Sequence, residues 1–163
     1  MRAFFEDSVD LAPLLLRWLA IEVRREDPPD PSQFPRAGWD PILAGDRFLI
    51  AHSWVEAPTP KGRFRLSIDT TAAFGAGRHE STQLMLQAME QELRAGQTVL
   101  DVGCGSGILS LAARLLGAGQ VFACDIHAED AASVARQMKI PAFAGSADGV
   151  RDGAADLVLR TSA

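Results

Sequence analysis

The run Asp101-Val-Gly-Cys-Gly-Ser-Gly107 places three glycines at alternate positions behind a carboxylate. Glycine tolerates positive φ and leaves the backbone bare, so a ligand can lie against main-chain amides, and the unpaired amides of a following helix add donors. A second carboxylate, Asp125, directly follows the next apolar run, Gln120 to Cys124. In a strand–helix–strand crossover an acid there can accept two hydrogen bonds from ribose hydroxyls. Asp101, Gly103, Gly105 and Asp125 are therefore candidate contacts for an adenosine-type ligand. For Asp125 alone, capping the next helix is the competing role. The spacing disfavours a dinucleotide: a G-x-G-x-x-G pattern begun at Gly103 needs its third glycine at Ile108, and one begun at Gly105 needs it at Ser110. Asp101 would also repel a pyrophosphate while attracting an ammonium or a sulfonium. A nicotinamide-dependent oxidoreductase is accordingly the least favoured reading.

Upstream, Ser67-Ile-Asp-Thr-Thr-Ala-Ala-Phe-Gly-Ala-Gly-Arg-His-Glu-Ser-Thr82 carries two glycines, a histidine and hydroxyls just before an apolar-periodic stretch. It reads as a ligand-facing loop entering a helix, with Ser81 or Thr82 as the cap and Phe74 as an apolar face. His79 is the histidine of this loop, able to assist deprotonation of an acceptor or to orient it, against the simpler role of hydrogen-bonding the loop. His52 and His127 read as structural, in a strand and at a helix start. Asp148, in Gly-Ser-Ala-Asp-Gly, is as readily a turn residue as an acceptor for an adenine amine. Met85 and Met89, one helical turn apart, belong to a core.

The elements that must position these groups follow from periodicity. Leu11, Leu14, Leu15, Trp18 and Leu19 recur at helical spacing between Asp10 and Arg25, with Pro13 in the first turn, and a proline-rich linker over 27–35 follows. Two strands, Arg47 to Val55 and Arg63 to Ile68, are expected on either side of a Pro-Thr-Pro-Lys-Gly turn. Beyond Ala73 the pattern alternates: helix 80–93, strand 97–101, helix 107–116, strand 120–125, helix 128–138, and strands near 141–144 and 155–160. That is a doubly wound α/β sheet. The expected division is a lead-in over 1–68 and a nucleotide-binding domain over 69–163.

At 163 residues, 47% apolar and 23% charged, the chain can bury a core. A net charge of -5 without a Lys/Arg run argues against coating nucleic acid and for a small ligand or a basic protein partner. Two cysteines, Cys104 and Cys124, suit reduced, packed thiols and a cytoplasmic setting. No apolar stretch approaches the roughly 20 residues of a membrane span.

The run Ala73-Phe-Gly-Ala-Gly-Arg-His-Glu-Ser-Thr82, followed by Val99-Leu-Asp-Val-Gly-Cys-Gly-Ser-Gly-Ile-Leu109, resembles the methyltransferases that modify large-subunit ribosomal protein eleven. The resemblance covers about Trp39 to Leu159. It implies a class I, Rossmann-like fold, S-adenosylmethionine as cofactor, and a lysine or N-terminal amine of a ribosomal protein as methyl acceptor. It carries cofactor contacts onto Thr82, Gly103 and Asp125, with Phe74 and Gly75 lining the loop. Three departures are mild: Asp69-Thr70-Thr71 stands for Asp-Pro-Gly, Gly75-Ala76-Gly77 for Gly-Thr-Gly, and Ser81-Thr82 for a doubled threonine. A fourth is larger, because Leu159-Arg160-Thr161-Ser162-Ala163 occupies the place of an Ala-Asn-Ile-type segment and puts Thr161 at the asparagine position. The family's N-terminal substrate-recognition domain is at best shortened, and the strands that would follow residue 163 are absent. These departures set up an alternative, a truncated cofactor-binding module with little transferase activity that self-associates through an open C-terminal edge strand.

Overall fold

The computed structural model describes residues 39–68 and 77–161. The expected helix over 10–25, the linker over 27–35, Phe74 and Gly75 lie outside these residues. The described chain forms two sheets and three helices. The first sheet holds β1 (Ile42–Ala44), β2 (Phe48–His52) and β3 (Phe64–Ile68) in that order. The second holds β4 (Thr98–Val102), β5 (Gln120–Asp125), β6 (Ala142–Ala144) and β7 (Leu157–Arg160), ordered β6-β5-β4-β7 with every pair parallel. Helices α1 (Glu80–Glu92), α2 (Ile108–Leu115) and α3 (Ala128–Met138) precede β4, β5 and β6 in turn.

The alternating pattern from residue 80 onward predicts these elements closely. The lead-in differs. Two strands on either side of a turn imply antiparallel neighbours, yet β2 and β3 are parallel, and the antiparallel partner of β2 is β1, which the periodicity does not reveal. The cause lies in two arginines. Arg65 donates from Nη1 to the Ala57 carbonyl and from Nη2 to those of His52 and Val55, at 2.9, 3.1 and 2.7 Å, which folds the segment after β2 back along the sheet. Arg63 Nη1 donates to the carbonyls of Gly45 and Phe48 at 2.8 and 2.9 Å, tying the start of β3 to the β1–β2 turn. A three-residue strand such as β1 is too short to leave a period in the sequence.

Helix α2 is the structural partition. It touches β3 of the first sheet, β4 and β5 of the second, and α1. Ile108, Leu109, Ser110, Ala112 and Ala113 are all buried along it, so an eight-residue helix is enclosed almost all round. Residues from both sheets, among them Phe48, Leu66, Leu86, Met89, Val99, Ile108 and Leu159, form one apolar cluster around it. Burying a single Ile or Leu side chain of this kind stabilises by about 1.5–3 kcal/mol. Strand β7 is an edge strand of the second sheet, with Leu159 buried and Val158 55% exposed.

The β1–β2 turn is held from a distance by Glu90 of α1, whose Oε2 and Oε1 accept from the amides of Asp46 and Arg47, each at 2.9 Å. Gly45 lies against that carboxylate at φ 54, and a Cβ there would strike it. Replacing the acid leaves two turn amides without their charged acceptor. Glu90→Ala is expected to destabilise the protein by about 1–3 kcal/mol and to lower the thermal midpoint accordingly, with Glu90→Gln intermediate; equal melting of all three proteins would show that the turn is held by other contacts.

Candidate functional site

The glycine loop leaves β4 at Val102 and is captured at once by the neighbouring strand. The amides of Gly103 and Cys104 both donate to the Cys124 carbonyl, at 2.8 and 3.1 Å, and the Gly107 amide closes the turn onto the Cys104 carbonyl at 2.7 Å. Gly103, Gly105 and Gly107 all have positive φ, at 73, 48 and 76°. Their surroundings separate them. A Cβ on Gly103 or Gly105 would meet nothing within 4 Å, whereas one on Gly107 would press into Met138 and Val134 of α3 at 2.6–2.9 Å. The first two glycines therefore border an open cradle and the third permits close helix packing.

Asp125 crosses from β5 to this loop. Its Oδ2 accepts from the Gly105 amide at 2.9 Å and its Oδ1 from the His127 amide at 2.9 Å, ahead of α3. The carboxylate is 6% exposed. The cap position of α3 is His127, so Asp125 stands two residues ahead of the position weighed for it as a cap, and each of its oxygens keeps a further lone pair for a donor in the cradle. His127, the residue at the α3 cap position, contributes no side-chain cap bond.

Asp101 lies on the same face of the second sheet, against the start of α2. It is 1% exposed, and its Oδ2 accepts from the amide and the hydroxyl of Ser110, at 3.0 and 2.7 Å, in the first turn of α2. Its Oδ1 is buried and accepts no hydrogen bond from the described residues. Burial pushes the carboxyl from 3.8 up to about 6, the Ser110 bonds oppose the rise, and the nearby Asp125 charge adds to it. A carboxyl raised in this way holds its proton more tightly folded than unfolded. Its contribution to stability therefore falls as pH climbs from about 4 to about 6 and stays low above, a difference of about 3 kcal/mol at neutral pH. Cys104 and Cys124 are both free and buried, as the sequence implies; burial beside these acids pushes the Cys104 thiol up to about 12 and raises that of Cys124.

The second motif comes to the same place through Gly77. At φ 71 it packs so closely that a Cβ would lie 2.6 Å from Ile108 Cδ1 and 3.0 Å from Ile50 Cγ2. The end of the upstream loop thus rests on the first residue of α2, next to Gly107. Arg78 then reaches back, with Nη1 on the Asp40 carbonyl at 3.1 Å and its guanidinium over the Trp39 ring. His79 is the cap of α1: its Nδ1 accepts from the Ser81 amide at 3.3 Å and lies 2.7 Å from the Ser81 hydroxyl. The cap expected at Ser81 or Thr82 is displaced, because the helix begins at Glu80 and both hydroxyl residues fall within its first turn. Thr82 is half-buried there, its amide donating to the His79 carbonyl.

Thr161 is half-buried and follows Arg160, whose register partner on β4 is Val102, so it lies at the carboxyl end of the sheet, where Gly103 begins the loop. Asp148 sits in a single 3-10 turn, Ala147–Gly149, bonded to Ser146, which fits a turn residue. His52 is buried in β2 between Trp39 and Trp54. Two residues of the site escape sequence reasoning. Ser110 looks like an ordinary helix residue until its bonds to Asp101 are seen. Ile126, 76% exposed beside Asp125, is marked in the sequence only as an apolar residue between two polar ones.

Comparison with known proteins identifies the family. A family profile described as ribosomal protein L11 methyltransferase (PrmA) matches residues 17–140. Among curated relatives, the ribosomal protein L11 methyltransferase of Synechococcus elongatus is 43% identical over 124 residues, 76% of this chain and 41% of that protein. That of Cupriavidus metallidurans is 34% identical over 171 residues, 96% of this chain and 55% of its own length. The crystal structure of a ribosomal protein L11 methylase from Lactobacillus delbrueckii subsp. bulgaricus superposes with a TM-score of 0.59 at 28% identity, covering 68% of this chain and 59% of that one. The chain spans about two fifths to one half of the length of these curated relatives. With the glycine loop, its two acids and the upstream loop converging as described, the chain belongs to the ribosomal protein L11 methyltransferase family.

Proposed function

We propose that this chain is the S-adenosylmethionine-binding part of a protein methyltransferase whose acceptor is an amine of ribosomal protein L11, with residues 69–163 as the cofactor domain and 1–68 as its lead-in. The observation that carries the reading is the cradle: two glycines with positive φ and open space above them, beside a carboxylate that keeps lone pairs free. The residues fit the cofactor's parts. Gly103 and Gly105 expose main chain to its amino-acid portion, Asp125 accepts from the ribose hydroxyls, and Ile126 offers an apolar surface to the base. Thr82, Phe74 and Gly75 of the upstream motif are proposed as further cofactor contacts on the family resemblance of their sequence.

The cofactor supplies a methyl group on a cationic sulfur, transferred by in-line displacement to a nucleophilic amine. The protein's share is orientation and charge. A lysine acceptor, ordinarily protonated with a pKa near 10.4, must lose its proton before it can attack. His79 and Thr161 are the groups proposed to orient the amine or receive that proton, His79 at the α1 cap and Thr161 at the end of β7. No observation favours the dinucleotide-dependent oxidoreductase or the inactive, self-associating module. Transfer of a tritiated methyl group from S-adenosylmethionine to ribosomal protein L11 tests the reading; binding of cofactor with no labelled product would confine this chain to the binding role.

Two sets of variants test the site itself. Asp125→Ala is expected to weaken binding of S-adenosylhomocysteine by about 1–3 kcal/mol in calorimetry, through lost ribose bonds and a loosened Gly105. Affinity equal to the parent protein would reduce Asp125 to a support for the Gly105 and His127 amides. Gly103→Ala and Gly107→Ala should diverge although both glycines have similar φ. The first should lose ligand affinity at least ten-fold with a modest drop in thermal midpoint. The second should lose stability foremost, because its methyl group collides with Met138 and Val134; identical behaviour of the two variants would mean that the cradle is not where the ligand lies.

A further inference from the structure

Asp101 presents a problem that the binding reading leaves open. It lies at the end of β4, opposite Ala123 of β5, with one oxygen spent on Ser110 and the other buried without a described donor. Among the described residues, the groups around it do not supply a cation. From α2 comes Ser110, uncharged; from the loop Cys104 and from β5 Cys124, both thiols held protonated; and from the end of β5 Asp125, which is negative. A buried acid with only acid and neutral neighbours is costly to keep ionised, and such costs are tolerated chiefly where function uses them. Among the described residues, the open cradle at Gly103 and Gly105, which begins two residues along from Asp101, is where a ligand could bring a counter-charge.

We propose that Asp101 is a positioning residue that couples binding of a cationic ligand in the cradle to release of its own proton, its ionised carboxylate holding Ser110, and with it the first turn of α2, in the ligand-bound arrangement. The proposal rests on the S-adenosylmethionine reading above. The reasoning is reciprocal. A positive charge arriving near the buried carboxylate favours its ionised form, so ligand and proton compete. Ionisation in turn strengthens the two Ser110 bonds, since a charged acceptor binds donors more tightly than a neutral one. The carboxyl's midpoint near pH 6 puts this competition within reach of ordinary solution conditions. Direct contact between Asp101 and the ligand is not needed; the residue acts through charge and through the helix start.

Calorimetric titration of the whole chain with S-adenosylmethionine and, separately, with S-adenosylhomocysteine, in pairs of buffers of different ionisation enthalpy between about pH 5 and pH 7.5, tests this. The parent protein is expected to release a proton on binding S-adenosylmethionine near pH 6 and to lose about ten-fold in affinity between pH 7.5 and pH 5. S-adenosylhomocysteine, which lacks the sulfonium charge, should release less. In Asp101→Asn the proton release near pH 6 should vanish. In Ser110→Ala it should persist but move to higher pH, because the bond that favours the ionised carboxylate is gone. A merely structural Asp101 would change affinity in both variants by the same factor at every pH and leave proton release untouched, and that result would overturn the proposal. Proton release surviving in Asp101→Asn would overturn it as well, assigning the proton to another group such as His79. If the parent protein bound neither ligand at any pH, the cofactor reading itself would fall, and the coupling with it.

Discussion

The site depends on the capture of the glycine loop by the neighbouring strand. Two successive amides, of Gly103 and Cys104, share the Cys124 carbonyl, and the Asp125 carboxylate then reaches over to the Gly105 amide. These bonds are possible because β4 and β5 are parallel and in a register that pairs Val102 with Cys124, so both strands end at the same level. A shift of one residue would carry the Cys124 carbonyl and the Asp125 carboxylate out of line with the loop amides they hold. The crevice at the carboxyl ends of the strands is thus a product of register as much as of glycine.

The loop's shape is transmitted to the rest of the molecule by α2. The helix begins at the loop and runs between the two sheets, so its first residue, Ile108, is touched on one side by the apolar core and on another by Gly77 of the upstream motif. Any change in the loop that moved α2 would be felt by β3, β4, β5 and α1 together. This explains why the glycines differ in role although they look alike. Gly107 and Gly77 are small because helix and loop must approach within contact distance, whereas Gly103 and Gly105 face open space and leave the backbone bare there.

Charge is arranged unevenly around the crevice. Asp125 is satisfied by amides on both oxygens, while Asp101 is satisfied on one and buried on both. Burial raises the Asp101 carboxyl and both thiols, and the neighbouring acid charges add to each rise. The site therefore offers negative charge without a nucleophile of its own, which suits a cationic donor whose reactivity is intrinsic.

The amino-acid sequence by itself determined the alternation of helices and strands from residue 80 onward, the glycine loop with its flanking acids, and the burial of both cysteines. Each is carried by a local signal: a period of about 3.6 or 2, a positive-φ requirement, or an acid at a strand end. Tertiary structure alone decided the parallel pairing of β2 with β3, since the side chains that enforce it, Arg63 and Arg65, act on carbonyls many residues away. It likewise decided that His79 rather than Ser81 or Thr82 caps α1, that Asp101 turns inward to Ser110, and that Gly77 brings the two motifs together at Ile108. The His79 cap is a local contact that competes with two neighbouring hydroxyl residues, so residue type alone does not select it, and the others rest on contacts between segments brought together only once α2 is wedged between the sheets.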